Sequence, residues 1–287
     1  ILSDLGKALV SAGRISEVLD TKPEPDQDGD DTASIGGDIR FDHVAFSYEK
    51  MNPVLLDIDF TAKSGQTIAI LGATGSGKST MMHLLQRLYD TDEGQITIGG
   101  ADIRKIQKAH LRSRIGLILQ EPFLYSRSLR DNIRIATPEA SDEMVTGVAQ
   151  TACADGFIQG FEKGYDTLVG ERGVTLSGGQ QQRVAIARTL LKQNDILIFD
   201  DSLSAVDTET DQAIREALRL EKKHATTFIV SHRLTTLSQA DLILVLQNGR
   251  IAQQGTHGDL IAQDGLYRRV WRIQSQLEEE LVTDASA

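Results

Sequence analysis

Residues 72–80 read GATGSGKST, which fits G-x-x-x-x-G-K-[ST]; the apolar run TIAIL at 67–71 precedes them and a helix-like run at 81–89 follows. That spacing is suited to holding phosphate. Gly72, Gly75 and Gly77 let the backbone wind tightly around Thr74 and Ser76, so that successive N–H groups and a helix N-terminus converge on phosphate oxygens. Lys78 can then reach the β- and γ-phosphates, Ser79 offers its hydroxyl to Mg²⁺, and Thr80 adds a phosphate contact. A chance glycine turn would have neither the strand before it nor the helix after it. A second apolar run, ILIF at 196–199, ends in Asp200 and Asp201. This puts two carboxylates at the carboxyl edge of a parallel sheet, where such sheets bind ligands, and Asp200 would hold Mg²⁺ through water.

The rest of the sequence must position these groups. Short, almost wholly apolar runs at 67–71, 115–119, 196–199 and 227–230 alternate with helix-like stretches, which predicts an α/β fold with a mainly parallel, helix-covered sheet. Alternation at Ile39, Phe41, Val44, Phe46 and Tyr48, then a run at 55–60, predicts antiparallel strands buried on one face. Asn248-Gly249 predicts a two-residue hairpin. Polar, helix-rich sequence between Gln120 and Lys192 predicts an inserted α-helical subdomain. Residues 1–20 have apolar residues at helical spacing, the acidic stretch DTKPEPDQDGDD at 20–31 has the composition of a linker, and the last ten residues look frayed. The expected division is 1–37 for a connecting helix and linker, 38–257 for the main domain with its helical part at about 120–192, and 258–287 for a C-terminal helix and tail.

Composition narrows the function. The chain has 287 residues with 30 Lys+Arg against 41 Asp+Glu, a net charge of −11, so there is no global basic field to hold nucleic acid, and no nucleic-acid partner is expected. One cysteine, Cys153, supplies neither a disulfide nor a zinc cluster and reads as a small core filler in a helical stretch. No apolar run reaches the ~20 residues that span a bilayer. The sequence begins at Ile1, which suggests a piece of something longer.

Leu176-Ser177-Gly178-Gly179-Gln180, followed by Gln181-Gln182-Arg183, resembles the signature of ATP-binding-cassette (ABC) nucleotide-binding domains, and the likeness extends over nearly all of residues 39–257. The resemblance implies a P-loop NTPase fold of RecA-like type, ATP and Mg²⁺ as cofactors, and ATP hydrolysis coupled to transport. In that family the signature (Ser177, Gly178, Gly179, Gln180) serves an ATP bound to a facing domain. The resemblance implies further roles. Gln120 would be the lid glutamine that senses Mg²⁺ and the attacking water; His232 would be the switch histidine on the γ-phosphate. Asp207, in Ser204-Ala205-Val206-Asp207, would belong to the loop that crosses to the facing domain, and Tyr48 would be the aromatic on which exporters stack adenine. Glu171-Arg172-Gly173 and SAGRISEVLD at 11–20 resemble exporter rather than importer sequence. They imply a membrane-spanning domain outside this chain and a place on the cytoplasmic face of the cell membrane. FLYSRSLRDN at 123–132 would touch that domain.

One position departs from the family. Where a Glu normally polarises the attacking water, this sequence has Asp201, one methylene shorter, and Ser202-Leu203-Ser204 follow in place of the usual Ala-Thr-Ser. A general base must come within about 2.6–3.2 Å of the group it deprotonates, so the expectation is a low-activity site in an asymmetric exporter. Its partner would be a second nucleotide-binding domain with Glu and an altered signature. The alternatives are a homodimeric exporter ATPase, an importer ATPase subunit, a module that binds ATP without hydrolysing it, and an ABC ATPase acting on nucleic acid.

Overall fold

In a computed structural model the described residues are 2–21, 29, 32–170, 174–192, 194–202, 206–221 and 225–284. Helix α1 (Leu2–Leu19) is followed by strands β1 (Ile39–Glu49), β2 (Asn52–Ala62) and β3 (Thr67–Gly72), helix α2 (Lys78–Leu85), and strands β4 (Glu93–Ile98) and β5 (Ala101–Asp102). Then come α3 (Lys108–Ser113), β6 (Ile115–Ile118), α4 (Leu129–Arg134), α5 (Asp142–Thr151), α6 (Asp155–Gln159), α7 (Gly178–Leu190) and β7 (Ile196–Asp200). The chain continues through α8 (Thr208–Glu221), β8 (Thr226–Val230), α9 (Leu234–Leu237), β9 (Leu242–Gln247), β10 (Arg250–Gly255), α10 (His257–Ala262) and α11 (Leu266–Asp284).

The strands form two sheets, one ordered β10-β9-β3-β8-β7-β6 and the other β2-β1-β4-β5. In the first, β9, β3, β8, β7 and β6 are all parallel, and β10 returns antiparallel to β9. The central strands are buried on both faces, which is why TIAIL and ILIF carry no polar alternation: Ile68, Ala69, Ile70 and Ile198 are wholly inaccessible. The second sheet is antiparallel, as the alternation in β1 requires. That alternation slips a residue between Phe41 and Val44, where the register shifts and His43 takes a left-handed φ of 49°. The bulge returns Val44 and Phe46 to the inner face. Asn248 and Gly249 both have positive φ, 50° and 73°, the conformation of a type I′ turn, and the Gly249 carbonyl accepts from the Leu56 N–H at 2.8 Å. The hairpin thereby joins the two sheets.

Several elements differ from the sequence reading. Strands β4 and β5 are absent from the sequence reading; they pair with each other across Gly99-Gly100, but the longer pairing of the GQITIGG stretch is with β1, about fifty residues earlier. Helix α2 starts at Lys78 rather than 81 and ends at Leu85, where the chain turns through Arg87 at φ 52°. Cys153 lies in a turn after α5 at φ 53°, not in a helix, and burial pushes its thiol up. Helix α11 runs to Asp284, into the stretch read as frayed. The apolar residues of α1, such as Leu9, Ile15 and Val18, are exposed. No helix among the described residues is long and apolar enough to cross a membrane.

Candidate nucleotide site

Strand order assembles the site. Moving across the parallel sheet from β3 to β8, β7 and β6, the carboxyl ends lead in turn into the phosphate loop, His232, Asp200-Asp201 and Gln120. Segments far apart in sequence therefore meet at one edge of one sheet.

The phosphate loop has the backbone its glycines permit. Gly75 and Gly77 have φ of 79° and 103°, and Gly77 is the left-handed N-cap of α2. A Cβ on Gly77 would meet Leu55 Cδ2 at 2.5 Å, so β2 closes one side of the loop. Lys78 is only 8% exposed and folds back to donate to the carbonyls of Gly72 at 2.7 Å and Ala73 at 3.0 Å. Burial pushes its ammonium below the ordinary lysine range, and the nearby Asp200 and Asp201 carboxylates push the other way. A bound phosphate would give this buried cation a closer anion. Ser76 Oγ is buried within the loop without a hydrogen-bond partner, as suits a group that waits for a ligand. Thr74 and Gly75 are exposed at the loop's rim.

Ser79 Oγ donates to Asp200 Oδ1 at 3.2 Å, bringing a hydroxyl from the first turn of α2 and a carboxylate from the end of β7 into one hard-oxygen donor set. Mg²⁺ fits such a set, keeping waters and binding through one carboxylate plus substrate phosphates. Asp201 follows with a left-handed φ of 48°, its N–H bonded to the Val230 carbonyl of β8 at 3.0 Å. Asp adopts that conformation more readily than most residues. Ser202 Oγ behind it is buried and unpartnered. Gln120 and His232 are exposed at the ends of β6 and β8.

Tyr48 stands beside the loop at the end of β1, half exposed, its hydroxyl 3.2 Å from Thr80 Oγ1 and 3.4 Å from His83 Nδ1. The signature residues lie apart from these groups, on the first turn of α7. Ser177 is its N-cap, and a reciprocal box forms: Ser177 Oγ accepts from the Gln180 N–H at 3.3 Å while Gln180 Oε1 accepts from the Ser177 N–H at 3.0 Å. The Ser177 hydroxyl proton and the first-turn N–H groups of Gly178 and Gly179 remain for an external anion. The helix begins at Gly178. Asp207 caps α8, accepting from the Thr210 N–H at 2.9 Å, and that bond holds its carboxyl below the usual range. Glu171-Arg172-Gly173 and Ser204-Ala205 lie outside the described residues.

The sequence reading missed the buried polar groups that join α7 to the segment after Gln120. Gln182, fully buried, donates to the Leu119 carbonyl at 3.1 Å. Arg188 donates to the carbonyls of Phe123 at 2.9 Å and Asn132 at 2.8 Å, and buried Asn132 bonds both the N–H and the carbonyl of Tyr125. Phe123 and Tyr125 are thus presented outward on a pinned backbone, 69% and 44% exposed. Helical spacing shows that these polar residues lie on α7 but not what they reach.

This edge of a parallel sheet, with its phosphate loop and paired carboxylates, defines a P-loop nucleotide-binding domain. Residues 55–204, just over half of the chain, match the ABC transporter family, and the chain belongs to that family with the fold of its ATPase domain. It is 44% identical over 278 residues to the mitochondrial potassium channel ATP-binding subunit of Xenopus tropicalis, covering 96% of this chain and 40% of that protein. Against a protein of Staphylococcus aureus named for multidrug export as an ATP-binding/permease protein, identity is 45% over 240 residues, or 83% of this chain and 42% of the other. A bacterial Atm1-family ABC exporter with ATP bound superposes with a TM-score of 0.85 at 39% identity, covering 93% of this chain and 47% of that one. The chain spans less than half the length of each of these relatives.

Proposed function

We propose that this chain is the ATP-driven half of an ABC exporter, with a low-activity ATP site of its own and a signature that serves the site of a second, different nucleotide-binding domain. The observation that carries the reading is the meeting of Lys78 and Ser79, at the start of α2, with Asp200 and Asp201, at the end of β7; the reading takes Asp201 as the general base. Lys78 and the loop amides bind the β- and γ-phosphates, Tyr48 takes the adenine face, and Ser79, Asp200 and Gln120 hold Mg²⁺. When bound, Mg²⁺ would neutralise charge developing on the phosphates during in-line attack by water. His232 donates to the γ-phosphate, so its contact is made by ATP and not by ADP. Two such domains close head to tail because only the γ-phosphate completes the contacts to the partner's signature, and hydrolysis reopens them.

Asp201 is the weak point. Its carboxylate sits one methylene back from where Glu would place it, and lost positioning of about 1 Å can cost on the order of a hundredfold in rate. The remaining stabilisation comes from Lys78, His232 and the partner's signature amides. The exposed pair Phe123 and Tyr125, T-shaped at 5.1 Å, offers an aromatic surface for the membrane-spanning domain, whose helices would select the substrate. Export rather than import is supported by the exporter among the structural relatives and by the exporter-like sequence at 11–20. Turnover of the complete transporter after Asp201→Glu tests the reading: a clear rise supports a weakened base, and an unchanged rate assigns the low activity elsewhere.

A further inference from the structure

The turn that carries His232 is gripped from outside the nucleotide site. Gln274, on α11, donates from Nε2 to the His232 carbonyl at 3.0 Å, and its Oε1 accepts from the Leu234 N–H at 3.2 Å. The backbone partners fix which way the amide points, because a carbonyl only accepts and an N–H only donates. One side chain thus spans Arg233 and ties together the end of β8 and the start of α9. The grip leads back to a firmly seated helix. Tyr267 lies seven residues earlier, hence on the same face of α11, and is wholly buried, its hydroxyl 2.8 Å from His257 Nδ1 and its N–H bonded to Gln253 Oε1 at 3.3 Å. Val270 and Trp271, between the two, pack on the cluster that contains Leu234, Leu237 and Leu71, the last residue before Gly72.

On its other side the same turn is held by α8. Arg233 Nη1 donates to the Val206 carbonyl at 2.7 Å, beside Asp207, and Thr236 Oγ1 donates to Asp211 Oδ2 at 3.1 Å. The His232 backbone is therefore restrained from two directions while its side chain stays exposed. A hydrogen bond to a ligand is worth most when the donor is already in place, since the ordering cost is then met before binding.

We infer that Gln274 is a positioning residue for His232, so that the C-terminal helix α11 sets how strongly the site prefers ATP over ADP. The inference rests on the reading of His232 as a γ-phosphate donor. Gln274 itself touches no nucleotide; its effect passes through the His232 carbonyl. Any partner or modification that lifted α11 would release this turn and lower the preference for ATP without altering the phosphate loop.

Equilibrium binding of MgATP and of MgADP to this chain tests it, and needs no turnover. Gln274→Glu keeps the length and volume of the side chain but sets a carboxylate oxygen against the His232 carbonyl, so a packing role would survive it and a hydrogen-bonding role would not. The expected result is a loss of roughly tenfold in the ATP-over-ADP preference in Gln274→Glu and Gln274→Ala, with MgADP affinity unchanged as the check that the domain is folded. His232→Ala should lose at least as much, and adding Gln274→Glu to it should change nothing further. Wild-type preference in both Gln274 variants, beside a loss in His232→Ala, overturns the proposal while the reading of His232 stands. Wild-type preference in Gln274→Glu alone, or an equal fall for both nucleotides, assigns Gln274 to packing and also overturns it. An unchanged preference in His232→Ala overturns the reading of His232, and the proposal with it.

Discussion

Tyr48 is half exposed, yet its ring is not free to turn. Phe46 meets it edge-on at 5.0 Å and Tyr89 at 5.1 Å, with interplanar angles of 84° and 87°, and its hydroxyl reaches Thr80. A flat base meeting a ring already fixed by two others gains stacking without first ordering it. Tyr48→Ala should weaken MgATP binding by about 1–3 kcal/mol, the usual worth of one base on one aromatic, whereas Tyr48→Phe should stay near wild type; titration of each variant with MgATP separates them. At Asp201 the backbone itself bears on the chemistry. A left-handed φ of 48° suits Asp better than Glu, so this position holds the shorter acid with less strain than the longer one would bring. The sequence revealed the shorter side chain, while the conformation that accommodates it needed the structure. Lys78, Ser79 and Asp200 were legible as a group because the phosphate loop has a fixed spacing and Asp200 ends an unmistakably buried strand. Gln274 was not, since nothing distinguishes it among the polar residues of an amphipathic helix until its partners on the His232 turn are seen.

At the scale of elements, the parallel strands could be read because burial on both faces confines polar residues to Thr67 in β3, Asp200 in β7 and the two threonines that open β8. Strand β4 is hard to see in the sequence because it is short and interrupted by glycine, its neighbour β5 has only two residues, and its main partner is distant β1. Helix α2 starts earlier than its apolar residues indicate because Lys78, Ser79 and Thr80 belong both to the phosphate loop and to the first helical turn, and the loop itself supplies the N-cap Gly77. Helices α8 and α9 are joined by a buried network that no periodicity shows. Asp211 is wholly buried, with its two oxygens 3.0 and 3.1 Å from Arg215 Nε and Nη2, and it also accepts from Thr236. Asp211→Ala should destabilise the domain by about 3–5 kcal/mol, because it leaves a largely buried guanidinium unpaired. Thermal unfolding would register this as a drop in Tm of roughly 5–8 °C, with a smaller drop for Asp211→Asn.

At the scale of the whole molecule, the predicted phosphate and Mg²⁺ contacts gather at one edge of the parallel sheet, Tyr48 comes from the antiparallel sheet beside it, and the signature opens α7 on the helical segment. Its exposed first turn is suited to an anion bound elsewhere, consistent with an ATP shared between two domains. Gln182 ties that same helix to the Leu119 carbonyl, and Arg188 ties it to the Phe123 carbonyl and to Asn132, which in turn holds the Tyr125 backbone. The chain spans less than half the length of the relatives compared, in keeping with a proposed membrane-spanning half outside it. The central claim is that this site holds ATP well and cleaves it poorly. Equilibrium MgATP binding and steady-state hydrolysis, measured on one preparation of the chain, test that most directly. Tight binding with near-zero turnover is the predicted result, and brisk turnover would contradict it by showing that Asp201 suffices as the base.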